Sequence, residues 1–263
     1  LCTLPELTRE LSEFADAVLE ISLAHAHADV ALLHGEPIGE DSGQPQQMII
    51  IGMGKLGAHE LNLSSDIDLI FTYAEDGETN GRRSISNQEF FIKVGQLLDP
   101  VTADGFVFRV DMRLRPWGDG SALAMSVDAM ETYYERHGRE WERYALIKAR
   151  ICAGDRKHGE LLMRALRPFV FRRYIDFGVF ESLREMKAMI EREVRRLDRE
   201  DNIKLGRGGI REVEFIAQAF QLIRGGVDTA LQERQLLKVL PMLAERGLLP
   251  ASAVVELTQA YHF

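Results

Sequence analysis

The chain has 263 residues and a formal net charge of −9, and its 46% hydrophobic and 28% charged contents are ordinary for a folded globular protein. The basic footprint of a nucleic-acid binder is missing, and no apolar run approaches the roughly 18 residues that a membrane span needs, so neither partner is expected. Two cysteines without a CxxC pair exclude a disulfide framework and a cysteine-based zinc site, and they favour a reducing, cytoplasmic setting.

The N-terminal part is predicted to be one long helix followed by a linker. Apolar residues at helical spacing predict an amphipathic helix from Pro5 to His34. The next stretch, "GEPIGEDSGQPQQ" at 35–47, has the composition of an exposed loop. Because the chain begins with Leu1 and shows no signal peptide, we expect a segment of a longer protein.

Three later stretches are predicted to be strands. They are "MIIIGM", "DIDLIFTYA" and the strictly alternating "GFVFRVDMRLRP". A turn with a short helix is predicted between the first two, over "GKLGAHELNLSS", and a helix over 86–99. The polar segment "EDGETNGRRS" is predicted to be a mobile loop.

From Ser126 onward the pattern is helical. Ser126 is a candidate N-cap for a helix that ends at Gly138, and further helices are predicted over 139–151, 159–167, 179–199, 210–223 and 231–246. The expected architecture is therefore α+β: an N-terminal helix at 1–34, a mixed sheet with flanking helices at 48–155, and a helical domain at 156–263.

Two aspartates in the second predicted strand point to a metal. Side chains alternate along a strand, so Asp66 and Asp68 share a face, where two carboxylates repel each other unless a cation lies between them. Mg²⁺ prefers carboxylates together with phosphate oxygens. If the third strand is a neighbour, Asp111 adds another carboxylate, and three could hold two Mg²⁺ ions for phosphoryl transfer. The plainer alternative is a strand end capped by Asp.

Positive charge and glycines surround this acidic pattern. Alternation places Arg109, Arg113 and Arg115 on the face of Asp111, where they could bind phosphate or simply form a solvated edge. "GMGKLG" at 52–57 allows close backbone approach to a phosphate. It is neither a P-loop nor a dinucleotide fingerprint, because the required Lys-Ser/Thr and the distant acidic residue do not follow.

The spacing of these residues resembles a known signature. Gly54-Lys55, ten residues, and then Asp66-Ile67-Asp68 resemble the DNA-polymerase-β-like nucleotidyltransferases, which have Gly-Ser, a spacer, Asp-x-Asp and a later third carboxylate. This chain departs from the pattern by having Lys55 in place of Ser, which changes the grip on phosphate. The resemblance implies a polymerase-β-like mixed sheet, with phosphate or nucleotide contacts from Gly54, Lys55, Gly57, Ser65, Arg113 and Arg115.

A closer resemblance covers nearly the whole chain. "GMGKLGAHELNLSSDIDLIF", "FRVDMRLRPWGDGSALAMS", "WERYALIKARICAGD" and "GGIREVEFIAQ" resemble the bifunctional glutamine synthetase adenylyltransferase/adenylyl-removing family. "FRRYIDFGVFESLREMK" and "REVEF" look more like its removing half. Glu212 and Glu214 are second-tier site candidates through this resemblance, although acids near a helix start are also favoured by the helix dipole.

The resemblance implies phosphorolysis of an AMP-tyrosine bond on adenylylated glutamine synthetase, with phosphate consumed and ADP released. Catalysis would rest on Asp66, Asp68 and Asp111 with two Mg²⁺ ions, and a PII-type nitrogen-signalling protein would be a further partner. Two alternatives stay open: transfer of AMP from ATP to the tyrosine, and a catalytically silent docking module.

Overall fold

The computed structural model describes residues 3–63, 65–98, 107–173 and 209–262, together with 181, 184, 185 and 188. The helix predicted over 179–199 therefore lies almost wholly outside the described residues. Two compact units divide the chain: residues 1–138 with 148–166, and residues 139–147 with 167–263. The first unit contains the N-terminal helix, which was predicted from the sequence as a separate region at 1–34.

The described helices and strands follow one another along the chain in a mixed order. They are α1 (Leu4–His34), β1 (Pro37–Gly39), β2 (Met48–Gly52), α2 (Gly54–Gly57), β3 (Ile67–Tyr73), β4 (Gly77–Thr79), α3 (Asn87–Leu97), β5 (Val110–Asp111), β6 (Ala124–Ser126), α4 (Val127–Arg136), α5 (Glu140–Leu146), β7 (Arg150–Gly154), α6 (Arg156–Val170), α7 (Ile210–Arg224), α8 (Leu236–Glu245) and α9 (Ala251–His262).

A mixed sheet forms the centre of the first unit. Its order is β5-β3-β2-β7, and β6 also pairs with β3. β2 is antiparallel to both β3 and β7, whereas β5 and β6 run parallel to β3. The two parallel partners share one edge of β3, with β5 beside its first two residues and β6 beside its last three. The predicted α+β fold with a mixed sheet is confirmed.

The apolar patterns explain why these elements pack together. β2 is buried along its whole length, as expected for a central strand with an uninterrupted apolar run. One face of α1, including Ala15, Leu19 and Leu23, joins the same core as Phe90 and Phe91 of α3. This packing places α1 against β7 and α3.

Several sequence-based assignments hold, and others are wrong. The helices predicted over 5–34, 86–99 and 210–223 correspond to α1, α3 and α7. The linker at 35–47 contains β1, which pairs with β4 in the segment predicted to be a mobile loop. The helix predicted over 231–246 begins only at Leu236, because a 3-10 turn, Thr229–Gln232, precedes it.

Two errors concern the sheet itself. The predicted third strand is much shorter: of its described residues, only Val110 and Asp111 form β5, and the chain turns from Arg113 to Trp117. The helix predicted over 139–151 ends at Leu146, and Arg150 begins a strand that pairs with β2. A short apolar run fits both a buried strand and a buried helix, and here pairing with β2 decides.

The second unit has a helical core of its own. Apolar side chains of α7, α8 and α9 form it: Val213, Ala217, Leu236, Val239, Leu240, Leu243 and Val254. α5 belongs to this unit through Arg143, whose fully buried side chain donates to the carbonyl oxygens of Phe169 at 2.9 Å and Val170 at 3.1 Å. No helix within the described ranges combines the length and apolar content that a bilayer crossing requires.

Candidate functional site

The candidate site lies where β3 and β5 begin to pair. Ile67 stands opposite Val110, and Asp68 stands opposite Asp111. The two strands are neighbours, as the sequence prediction required. Neighbouring strands lie about 4.7–4.9 Å apart, so side chains paired in register are neighbours on one face of the sheet. The fold therefore brings together two carboxylates that are far apart in the sequence.

Asp66 joins this edge just before β3 begins. Its side chain is exposed, and its Oδ1 accepts a hydrogen bond from Arg109 Nε. The two chain segments are also held by their backbones, since the N–H of Ile67 donates to the carbonyl oxygen of Arg109 at 2.8 Å. Arg109 is thus fixed beside Asp66, which together with Asp68 and Asp111 forms the acidic edge. Alternation along the predicted strand placed Arg109 on one face, but its pairing with Asp66 was not predicted from the sequence.

Asp111 is held by Arg113, two residues further along the chain. Its Oδ1 accepts from the Arg113 backbone N–H at 2.9 Å and from Nε at 3.0 Å, and Arg113 Nη2 donates to Oδ2. These bonds hold the pKa of the Asp111 carboxyl below its ordinary value, although partial burial opposes the shift. Asp111 therefore stays ionised throughout the physiological pH range.

Arg115 has a different surrounding from the one predicted. The chain leaves the strand after Asp111, so the strand face predicted for Arg113 and Arg115 does not exist. Arg115 is mostly buried, and its Nη1 donates to the carbonyl oxygen of Met112 at 2.7 Å and lies 3.5 Å from Asp119 Oδ1. It stabilises the turn at 112–121. A phosphate contact from Arg115 stays a prediction.

The glycine turn, residues 53–60, lies directly against the acidic edge. The N–H of Met53 donates to the carbonyl oxygen of Asp68 at 2.9 Å, and Gly54 follows with a φ of +53°. A Cβ added at Gly54 would lie 3.0 Å from Asp68 Oδ2. Glycine is thus required here both by the left-handed backbone and by the nearby carboxylate. Half-buried Lys55 is on the same turn.

The contacts of Gly57 and Ser65 are with neighbouring backbone. A Cβ on Gly57 would lie 1.9 Å from the carbonyl oxygen of Lys148, so this glycine is required by packing against the backbone. The N–H of Ser65 donates to the carbonyl oxygen of Asn62 at 3.1 Å, in the loop that leads to Asp66. Phosphate contacts from either residue stay predictions.

An open pocket of about 480 Å³ lies beside β5 and the following turn. Its lining has three arginines, three aspartates and three apolar side chains: Arg109, Arg113, Arg115, Asp66, Asp111, Asp119, Val110, Met112 and Leu123. Asp119, Met112 and Leu123 were not predicted from the sequence. The turn composition of "RPWGDGS" was the available signal that the strand ends and the chain folds back to line a pocket.

The donor chemistry of this edge fits Mg²⁺ in part. Asp68 and Asp111 on adjacent strands supply the one or two carboxylates that Mg²⁺ uses alongside water and phosphate oxygens. Within the described part of the chain, however, no group of three or more acidic, His or Cys side chains is arranged to hold a metal. Oxygens of Asp66 and Asp111 instead accept from Arg109 and Arg113. The two-ion site stays a prediction.

Glu212 and Glu214 belong to the second unit, at the start of α7. Within that unit, burial raises the pKa of Tyr144, and the negative charge of Glu214 raises it further. The Tyr144 and Phe215 rings lie 5.7 Å apart. These contacts lie where α5 packs against α7. A functional role for the two glutamates stays a prediction.

The site thus combines a mixed sheet, carboxylates on two adjacent strands and a glycine turn against one of them. The model of a family of nucleotidyltransferases, glutamate-ammonia ligase adenylyltransferase, matches residues 1–165. The chain belongs to that family. A second family model, GlnD PII-uridylyltransferase, matches residues 184–263.

Curated relatives show the same similarity along the whole chain. Proteins named bifunctional glutamine synthetase adenylyltransferase/adenylyl-removing enzyme are 63% identical in Acinetobacter baylyi, over 98% of this chain, and 58% identical in Thioalkalivibrio sulfidiphilus, over 99%. The relative from Chromobacterium violaceum is 54% identical over 100% of the chain. The matched region makes up 28%, 27% and 29% of these relatives, so the chain spans little more than a quarter of their length.

Proposed function

We propose that this chain removes AMP from a tyrosine of adenylylated glutamine synthetase by phosphorolysis. Inorganic phosphate attacks the α-phosphorus of the AMP-tyrosine ester, the bond from that phosphorus to the tyrosine oxygen breaks, and the products are ADP and free tyrosine. One observation carries the proposal: the register that sets Asp68 opposite Asp111, beside the turn of Gly54. The names of the relatives supply the two candidate reactions, AMP attachment and AMP removal.

The charges of the pocket suit two anionic reactants. Attack of phosphate on a phosphodiester brings like charges together, and cationic groups in a partly desolvated site lower that barrier. Arg109 and Arg113 line the pocket and already bind carboxylate oxygens, so a phosphate oxygen offers them a similar acceptor. Lys55 on the neighbouring turn supplies a further ammonium group.

The removal reaction needs little general acid or general base catalysis. Phosphate is already ionised at neutral pH, so its attack needs no strong general base. The tyrosine leaves as a phenolate with a pKa near 10, which positive charge can stabilise. Mg²⁺, when bound by Asp68 and Asp111, would neutralise charge on the phosphate oxygens. This chemistry uses the carboxylates as cation ligands and the arginines as phosphate ligands.

The direction of the reaction rests on sequence resemblance. "FRRYIDFGVFESLREMK" and "REVEF" look like the removing half of the family, whereas ATP would use the same carboxylates and cations. Glutamine synthetase is the proposed substrate. A PII-type signalling protein is the proposed regulator, in keeping with the match of residues 184–263 to a family named for PII uridylylation.

A pair of incubations tests this proposal. Glutamine synthetase labelled in its adenylyl group is mixed with the chain, Mg²⁺ and phosphate, and labelled ADP is expected. Unmodified glutamine synthetase is mixed with labelled ATP, and no transfer is expected. Asp68→Asn serves as the inactive control in both. Label that reaches glutamine synthetase from ATP, without ADP release in the first incubation, would support the transferase reaction instead.

A further inference from the structure

An ion pair that is largely removed from solvent lies next to the glycine turn, and it uses none of the residues assigned to the reaction. Arg150 at the start of β7 donates from Nη1 to Asp16 Oδ2 at 2.6 Å and from Nη2 to Asp16 Oδ1 at 3.0 Å. The two side chains are only 13% and 17% exposed. This is the parallel, two-bond geometry that arginine forms with carboxylates, and it holds the guanidinium in one orientation.

The same guanidinium also reaches the turn. Nη2 of Arg150 donates to the carbonyl oxygen of Leu56 at 3.1 Å. Leu56 lies in α2 between Lys55 and Gly57. A single side chain therefore connects Asp16 of α1 to the turn that lies against Asp68, and Asp16 fixes the orientation from which Arg150 holds that turn.

A second ion pair supports the far end of the turn. Lys148 Nζ lies 3.1 Å from Glu60 Oε2, and both side chains are almost completely buried. Gly57 packs on the carbonyl oxygen of Lys148. Residues 148–150 thus contact the glycine turn at three points: Glu60, Gly57 and the carbonyl oxygen of Leu56. Arg150 also binds Asp16 of α1.

We propose that Arg150 and Asp16 are positioning residues for the glycine turn, and that they fix the place of Lys55 and Gly54 relative to Asp68. The role for phosphate use rests on the proposed function, whereas the ordering of the turn does not. Anchoring of α1 alone explains the pair poorly, because the apolar face of α1 already packs into the core. An ion pair largely removed from solvent is also often no better than apolar packing as a stabilising contact.

Asp16→Asn tests the pair without changing side-chain size, and Glu20→Gln is the matched control. Glu20 lies one helical turn further along α1 and accepts from the N–H of Gly154 at 3.2 Å, at the opposite end of β7. Hydrogen exchange of the whole chain is followed at the amides of Gly57, Ala58 and Glu60, which bond within the turn. The amides of β2 report any general loss of stability.

Asp16→Asn is expected to speed exchange in the turn at least about tenfold relative to β2, in the range expected for losing a charge-assisted hydrogen bond. Glu20→Gln should leave that ratio unchanged. Arg150→Lys keeps the charge but loses the planar fork, so it should loosen the turn as well. Equal acceleration in the turn and in β2, or no acceleration in either, would overturn the proposal.

A second arm of the experiment separates this inference from the proposed function. In the ADP-release assay, Asp16→Asn should raise the apparent KM for phosphate more than it lowers kcat. If the unchanged chain releases no ADP, the proposed function fails, and the exchange ratio still decides whether Arg150 and Asp16 order the turn. If ADP is released normally and the exchange ratio does not move, the positioning role is wrong.

Discussion

Gly57→Ala separates two roles that the sequence alone could not distinguish. The sequence pattern predicts that this glycine lets the backbone approach a phosphate. In the structure, a Cβ at this position would lie 1.9 Å from the carbonyl oxygen of Lys148 and 2.6 Å from that of Gly52. Both atoms belong to the backbone of the sheet region, so neither can rotate away as a flexible side chain would.

The size of the effect follows from that contact. The turn and Lys148 must separate by roughly 1.5 Å before the distance becomes an ordinary one, and overpacking of this kind costs about 1–3 kcal/mol. We expect a loss near the upper end, because the contact is with backbone on both sides. At about 2–4 °C per kcal/mol for a chain of this size, the midpoint of thermal unfolding should fall by roughly 5–10 °C.

Urea unfolding followed by circular dichroism measures this loss, with Gly120→Ala as the control. A Cβ at Gly120 meets no atom within 4 Å, so that variant should stay within about 0.5 kcal/mol of the unchanged chain. Equal midpoints for the two variants would refute the packing argument. A Gly57→Ala protein of normal stability that no longer uses phosphate would support the role predicted from the sequence.

Three further predictions concern the acidic edge. Asp68→Asn should abolish ADP release with little change in the unfolding midpoint, which parallel activity and urea measurements would show. Gly54→Ala and Gly43→Ala both place alanine at a positive φ and should lose a similar ~1–2 kcal/mol, but only Gly54→Ala, next to Asp68, should also impair activity. Arg113→Gln should destabilise the chain at neutral pH, and the difference should close below about pH 4, since a depressed pKa stabilises the folded state only where Asp111 is ionised. A pH-independent difference would contradict that linkage.

The sequence was most informative where a local pattern of apolar and polar residues matched only one kind of structure. The buried run of β2 and the Asp-x-Asp at the start of β3 have clear periodicities, and both were placed correctly. Asp111 was predicted to lie beside the Asp pair if the two strands are neighbours, and the register shows that Asp68 and Asp111 are paired. Local alternation and burial were sufficient for these assignments.

Prediction failed where distant contacts override local pattern. Alternation through Arg115 suggested a long strand, but a turn stabilised by Arg115 and Ser121 replaces it. β7 was assigned to a helix because only pairing with β2 distinguishes the two conformations of a short apolar run. The Arg113 partner of Asp111 lies in that turn, and the Arg109 partner of Asp66 is placed by the pairing of β3 with β5, so neither contact followed from local pattern.

The position of α5 in the chain affects where the protein can be cut. Residues 139–147 belong to the second unit, while the segments on both sides of them belong to the first. A truncation after residue 166 would keep α5 but remove the Phe169 and Val170 carbonyls that accept from Arg143. A fragment that begins at residue 167 would lack α5 altogether. Because the chain passes between the units three times, no single cleavage site yields two intact halves, and limited proteolysis should release neither unit complete.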